Sequence, residues 1–216
     1  MAACYHVYLL NFFFMFMVMD KDERNQLRRS MRQQRLQLDH HIQQQHAEAM
    51  ATLITRQAVF RNARRIAFYL AEDGEIDPCY LIEKAWQYNK QVFLPILPPT
   101  GNSLFFAPYT PDTPLAPNRF GIDEPQLHPR HWVRARQLNL ILLPLVAFDP
   151  QGNRLGMGGG YYDRSLAFIN HRKQWHSPHL VGLAHELQKV KQLPCASWDV
   201  PLHMIVTEEN LYRTNP

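Results

Sequence analysis

Cysteine is scarce and scattered. Cys4, Cys79 and Cys195 stand far apart with no CxxC pair, which excludes a disulfide framework and a thiolate zinc site and suits a reducing, cytoplasmic setting. No HExxH pattern organises the eleven histidines, so a zincin-type centre is excluded. Charge is sparse too: charged residues make up 19% of the chain against 46% apolar ones, the balance of a globular core rather than a disordered chain. No RNP-like motif or Arg-rich tail accompanies the net charge of +4, so nucleic acid is not an expected partner. Glycine is the most informative shortage. The chain has nine, and five of them (Gly152, Gly156, Gly158, Gly159 and Gly160) crowd into one short stretch.

The charge that is present is unevenly placed. Between Asp20 and Arg65 ten Lys and Arg stand against five Asp and Glu, a local +5, which leaves −1 for the rest of the +4 total. Such a basic region suits phosphates and polyanionic cofactors. The run CYHVYLLNFFFMFMV, residues 4–18, is apolar but shorter than the roughly 20 residues of a membrane span. It also lacks the basic start and small-residue cleavage site of a secretory signal. We read residues 1–18 as a start-site artefact or disordered apolar extension, with a membrane anchor as the alternative, and residues 19–216 as a single domain with no membrane partner. The length allows one such domain, and a monomer is expected.

Periodicity orders the rest. Residues 22–37 read as an amphipathic helix with Leu27 and Met31 on one face and Arg24, Arg28 and Arg32 as a basic stripe four residues apart. Asp39 can cap a second helix from His40 to about Arg61, with Ile42, His46, Met50, Leu53 and Ile54 inward. RIAFYL (65–70), VFLPIL (92–97), LFFAPY (104–109), HLVGLAH (179–185) and HMIVTEE (203–209) read as strands, and residues 79–88 as a helix opened by Asp77-Pro78. The Pro-rich residues 108–129 read as a long surface loop. LNLILLPLVAFD (138–149) is apolar enough for a central strand covered on both faces. Residues 162–172 read as a helix. Alternating strands and helices give an α/β three-layer sandwich with a mainly parallel sheet.

A buried strand, a glycine turn and a helix make an anion site, because the backbone can curl its N–H groups inward and the helix start adds partial positive charge. Two familiar phosphate motifs do not fit: no Lys follows the glycines as a P-loop requires, and Tyr161 takes the third glycine position of a GxGxxG fingerprint. A flexible turn is the bland alternative, but it does not explain paired aromatics followed by an acid.

GNRLGMGGGYYDRSL (152–166) resembles the signature of the 5-formyltetrahydrofolate cyclo-ligases, also called methenyltetrahydrofolate synthetases. Matching pieces run from Arg24 to Thr207: RNQLR (24–28), FYLAEDGEID (68–77), NRFGIDEP (118–125), LLPLVAFD (142–149), VGLAHE (181–186) and LPCASWDVPLHMIVTE (193–208). The resemblance implies a fold similar to the ribose-phosphate isomerase and CoA-transferase group. It implies ATP- and Mg²⁺-dependent conversion of 5-formyltetrahydrofolate to 5,10-methenyltetrahydrofolate, through a phosphorylated formyl (imino-phosphate) intermediate, with reduced folate and ATP as small-molecule partners.

Carried over residue by residue, the resemblance assigns Arg24, Asn25, Gln26, Leu27 and Arg28 to ATP binding. It adds a second ATP segment: Arg154, Leu155, Gly156, Met157, Gly158, Gly159, Gly160, Tyr161 and Tyr162. Leu70 and Glu75 line the folate site, joined by the stretch from Met157 to Tyr161, which touches both substrates. Arg154 and Tyr161 are the expected catalytic residues, and Asp163 and Asp199 the metal-linked acids. On the residues alone the alternatives are a solvated basic face for Arg24 and Arg28, a helix-start charge for Asp163, a turn acid for Glu75, a loop Asp with a local backbone bond for Asp199, and core packing for one tyrosine. His185 is a proton shuttle or a satisfied buried histidine. Some family members carry basic residues where this chain has Met157 and Gly159, which leaves the transferred phosphoryl group to Arg154, the arginine stripe or the loop N–H groups. Other readings are a sugar-phosphate isomerase or acyl-CoA handler on a similar fold, or a non-catalytic folate- or nucleic-acid-binding relative.

Overall fold

A computed structural model describes residues 21–170, 178–194, 196 and 198–214. The apolar run 4–18, the end of the expected 162–172 helix and Cys195 lie outside the described residues.

Three helices come first among the described residues: α1 (Lys21–Leu36), α2 (His40–Thr55) and α3 (Ala58–Asn62). In α1, Asp22 and Glu23 lie in the first turn and Arg35 in the last, the arrangement that suits the helix dipole. Asp39 caps α2 by accepting the His41 N–H at 2.8 Å. The buried stripe of α2 is Ala47, Met50, Ala51 and Ile54, at helical spacing. Ile42, expected to face inward, lies one turn before this stripe and is exposed. The single helix expected from His40 to Arg61 also breaks. Gln57 leaves the helical conformation (ψ 140°), and its Nε2 donates to the Leu53 carbonyl at 3.1 Å. No proline or glycine marks the break.

The chain continues through β1 (Arg65–Ala67), α4 (Cys79–Gln87), β2 (Gln91–Ile96) and β3 (Phe105–Pro108). The Pro-rich stretch expected to be loop carries a small hairpin, β4 (Leu115–Pro117) against β5 (Asp123–Pro125). Its turn is closed by Asn118, whose Oδ1 accepts the Phe120 N–H at 2.8 Å. Then come β6 (Leu140–Pro144), β7 (Ala147–Phe148), β8 (Arg154–Leu155), α5 (Tyr161–Leu166), β9 (His179–Leu183), β10 (Met204–Val206) and β11 (Leu211–Arg213).

Seven strands form one sheet in the order β11-β10-β9-β6-β1-β2-β3. The inner pairings are parallel, and the two edge strands, β3 and β11, are antiparallel. The expectation of an α/β fold with a mainly parallel sheet is borne out. Central β6 is covered on both faces, as its apolar run implied: Leu140, Ile141, Leu142 and Leu143 are all 0% exposed. Each such burial contributes about 1.5–3 kcal/mol. Alternate residues serve two cores. Ile66, Leu140, Leu142, Val181 and Val206 face α2 and α4. Ala67, Ile141, Leu143, Leu180 and Ile205 face Leu166 of α5 and the turns bearing Ala135 and Leu138. Among the described residues no helix is long and apolar enough to cross a membrane.

Candidate active site

The carboxyl ends of the parallel strands lead into most of the sequence-predicted residues, and α1 carries Arg24 to Arg28. β6 stops at Pro144 because the next two carbonyls turn to a side chain: Gln188 Nε2 donates to Leu145 O at 2.7 Å and to Val146 O at 3.0 Å. The glycine loop therefore follows the β7–β8 hairpin and not the central strand itself. That hairpin is built round Asp149, which is wholly buried. Its Oδ1 accepts the N–H groups of Gln151 and Asn153 (3.0 and 3.1 Å), and its Oδ2 accepts from Asn153 Nδ2 (2.9 Å) and the Leu193 N–H (2.8 Å). A buried carboxylate so fully bonded fixes where the loop begins.

Gly158 and Gly160 take φ of +96° and +64°, the left-handed region that side chains resist. A Cβ on Gly158 would lie 3.4 Å from the guanidinium carbon of Arg28. The helix that follows has only six residues before a 3-10 turn. It is shorter than expected, so aligned peptide dipoles add little positive charge here. Charge comes instead from side chains. Arg28 reaches over the loop, its Nε donating to Gly156 O at 2.8 Å and its NH1 to Asn25 Oδ1 at 2.8 Å. Arg24 NH2 donates to Pro194 O at 3.0 Å. Burial, and then the like charge of Arg24, push the Arg28 pKa down. An anion here would relieve the second effect.

Beneath the loop Arg154 pairs with Asp163 Oδ1 through NH2 and donates to Val200 O through NH1. The Arg154 side chain is 6% exposed and that of Asp163 30%. Asp199 precedes Val200, so Arg154 joins the segments that bear both predicted acids. Asp199 Oδ2 accepts the Ala196 N–H at 2.8 Å, the local backbone bond that was its alternative reading. Leu27 and Leu155 pack with Ala147 and Leu193, while Gln26, Gly156, Met157 and Gly159 are exposed.

On the other side of this site stands Glu75. Burial pushes its carboxyl up to about 7, against the pull of Arg35. Its side chain is only 13% exposed, so it is not the exposed turn acid of the alternative reading. Arg35, which sequence reasoning missed, is wholly buried. Its Nε donates to Asp73 O (2.7 Å), its NH1 to Leu145 O (3.4 Å) and its NH2 to Asp73 Oδ2 (3.2 Å), and NH2 lies 3.7 Å from Glu75 Oε1. Arg32, the last arginine of the stripe, pairs with the same Asp73 carboxylate and holds its pKa down. The Tyr162 hydroxyl lies within electrostatic reach of both Glu75 and Arg154, and burial raises its pKa. Leu70 packs at the edge of the helix-side core.

Tyr161 faces the β4–β5 hairpin. Its hydroxyl accepts from Arg119 NH2 at 2.9 Å, its ring meets Phe120 edge-on at 6.1 Å, and the Arg164 guanidinium stacks over it at 5.3 Å. Phe120, Met157 and Trp198 are 58%, 54% and 68% exposed. Arg119 and Phe120 lay in a matched segment, but no local pattern joined them to Tyr161. His185 is wholly buried, and burial, followed by nearby His46, pushes its pKa down to about 4. It is neutral near pH 7, which favours the satisfied-histidine reading over a shuttle.

A family model described as the 5-formyltetrahydrofolate cyclo-ligase family matches residues 20–208. The chain is similar to the 5-formyltetrahydrofolate cyclo-ligase of Haemophilus influenzae, with 42% identity over 192 residues that cover 87% of this chain and 99% of that one. The enzyme of the same name from Escherichia coli is 40% identical over 183 residues, covering 84% and 98%. The NMR structure of Aquifex aeolicus 5,10-methenyltetrahydrofolate synthetase aligns with a TM-score of 0.75 and 29% identity, covering 89% of this chain and 93% of that one.

Proposed function

The chain belongs to the 5-formyltetrahydrofolate cyclo-ligase family, and from that premise we propose that it converts 5-formyltetrahydrofolate to 5,10-methenyltetrahydrofolate with ATP, releasing ADP and phosphate. The observation that carries this reading is the convergence of Arg28, Arg154 and Asp163 on the glycine loop, with Glu75 linked to it electrostatically through Tyr162.

An N-formyl oxygen is a poor leaving group until it is phosphorylated. In the proposed route that oxygen takes the terminal phosphoryl group of ATP. ADP departs and leaves an imino-phosphate. N10 then attacks the activated carbon, the C–O bond breaks, and phosphate leaves with the N10 proton. Such chemistry needs positioning and charge neutralisation more than a protein nucleophile. The loop from Gly156 to Gly160, exposed as far as Gly159, presents backbone N–H groups to phosphate oxygens, and Arg154 and Arg28 add charge. The planar guanidinium of Arg154 suits phosphate oxygens. Glu75 accepts pterin N–H groups, and the Tyr161 ring supplies a flat wall. Met157 and Gly159 carry no charge, so the arginines neutralise the transferred group.

The donor set fits Mg²⁺, which takes one or two carboxylates with water and phosphate. Asp163 and Asp199 would hold it, each using the oxygen outside its bond to Arg154 or Ala196. Bound there, it would offset the negative charge of the nucleotide.

The test mixes the protein with 5-formyltetrahydrofolate, Mg²⁺ and ATP and follows the near-ultraviolet band of the methenyl product. An ATP-dependent rise, lost in Asp163→Asn while the variant still unfolds cooperatively, supports the proposal. Tight folate binding with no ATP-dependent product would instead make the chain a binding protein.

A further inference from the structure

Three elements deliver one donor atom each to a single point. His46 comes from α2, His185 from the turn after β9 and Glu208 from the turn after β10, and their ligand atoms all lie within 4.8 Å of one another. His46 Nδ1 is 2.9 Å from His185 Nδ1 and 3.3 Å from Glu208 Oε1. The two rings are tilted by 52° with centroids 5.1 Å apart.

The bonds on the outer side of the cluster set its chemistry. His185 Nε2 stands 3.3 Å from Gly74 O. A carbonyl only accepts, so Nε2 carries the proton and Nδ1 turns a lone pair toward the cluster. Both oxygens of Glu208 accept the Glu186 N–H, at 3.2 and 2.9 Å, which orients that carboxylate. A backbone carbonyl behind the imidazole and a fixed carboxylate are the supports that hold ligands in protein metal sites. Without an ion, His46 Nδ1 donates into the gap between the other two. Moving that proton to its Nε2 frees a second imidazole lone pair.

We propose that His46, His185 and Glu208, to which the proposed reaction gives no role, form a binding site for a zinc-class divalent cation. Two imidazole nitrogens and one carboxylate suit Zn²⁺ or Co²⁺, whereas Mg²⁺ and Ca²⁺ prefer all-oxygen shells. The 21% exposure of the His46 side chain gives solvent access, and water would complete a four-ligand shell. Tetrahedral geometry needs the two Nδ1 atoms about 3.4 Å apart, so they separate by a few tenths of an ångström on binding. The ion ties α2 to the ends of β9 and β10. Through His185 it also steadies the Gly74 carbonyl, next to Glu75.

The experiment uses the full chain without an affinity tag, stripped of metal by a chelator and titrated with Co²⁺. The visible bands of four-coordinate cobalt should grow to one equivalent and bleach when Zn²⁺ is added. Saturating Zn²⁺ should raise the Tm by roughly 5–10 °C. His46→Ala and Glu208→Gln should each weaken Co²⁺ binding at least about tenfold, while His41→Ala, an exposed neighbour on α2, should not. Both informative side chains are partly exposed, so these variants do not depend on replacing buried His185. No bands, the weak bands of six-coordinate cobalt, or an affinity unchanged in both variants would overturn the proposal.

Discussion

Replacing Glu75 with glutamine should stabilise the folded chain at pH 8 and leave it nearly unchanged at pH 4. Burial raises the Glu75 carboxyl from 4.5 to about 7 in the folded protein, and nearby Arg35 only partly offsets this. The side chain is 13% exposed, so solvent screens it little. A group whose folded pKa is raised contributes stability that is fully present below the unfolded pKa. That contribution is lost as the pH rises through the folded value. The window is therefore about pH 4.5 to 7. A tenfold change in proton affinity is worth about 1.36 kcal/mol, so the loss across the window is about 3 kcal/mol. Glutamine keeps an oxygen for the Glu72 N–H, which Glu75 Oε2 now accepts at 3.3 Å, and it carries no charge to bury. In urea, with a slope of about 1–3 kcal/mol per molar, the variant's midpoint at pH 8 should lie about 1–3 M above that of the parent. At pH 4, below the window, the two curves should nearly coincide. Equal displacement at both pH values would refute the reasoning, because Glu75 would then not titrate inside the window. Under the proposed function the same substitution weakens folate binding, a loss that is separable from the gain in stability.

Two further predictions rest on single contacts. Arg35→Met leaves the Asp73 carboxylate with Arg32 alone and removes the Arg35 bond to the Asp73 carbonyl, while Leu145 O keeps Gln188 Nε2. Breaking a buried pair from one side costs about 3–5 kcal/mol, and the remaining Arg32 contact sets the expected loss near the lower figure, read by urea unfolding at pH 7. Gly158→Ala places a side chain at φ +96° and a Cβ 3.4 Å from the Arg28 guanidinium carbon. The strain is about 1–2 kcal/mol. In the proposed reaction it should raise the KM for ATP more than that for folate, and an equal rise in both would count against the assignment of this loop to the nucleotide.

Burial pattern made the sheet legible. Runs such as LNLILLPLVAFD could belong only to strands covered on both faces, and β6 is the centre of the sheet. The break at Gln57 was not legible, because a break made by one glutamine bonding back to Leu53 O has no proline or glycine to announce it. The hairpin between Leu115 and Pro125 was hidden by its prolines, which the two short strands tolerate at their ends. In the site, local signals served the glycine loop well, since left-handed turns need glycine. They failed for Arg35 and for the His46–His185–Glu208 cluster. Arg35 looks like any other arginine of the basic helix. What buries it is an acid 38 residues away, and the cluster draws on three elements. Asp199 shows the reverse limit: its bond to the Ala196 N–H is the local turn that its loop context suggested.

The placement of α1 shows where its arginine stripe goes. At about 100° per residue, Arg24, Arg28, Arg32 and Arg35 fall within about 80° of one another round the helix, and at about 1.5 Å per residue they span about 16 Å along it. They therefore form one stripe with two ends. Leu27 and Met31 seat the helix against Ala147, Leu155 and Leu193. This turns the first end of the stripe over the glycine loop, where Arg28 holds Gly156 O. The second end meets the turn that precedes Glu75, where Arg32 and Arg35 share Asp73. Each of the four is bound to the body of the protein, and Arg35 is wholly buried. These four of the ten local cations thus brace the loop assigned to the nucleotide against the turn assigned to the folate. A substitution at one end, such as Arg35→Met, should be felt at the other through the tilt of a single rigid helix.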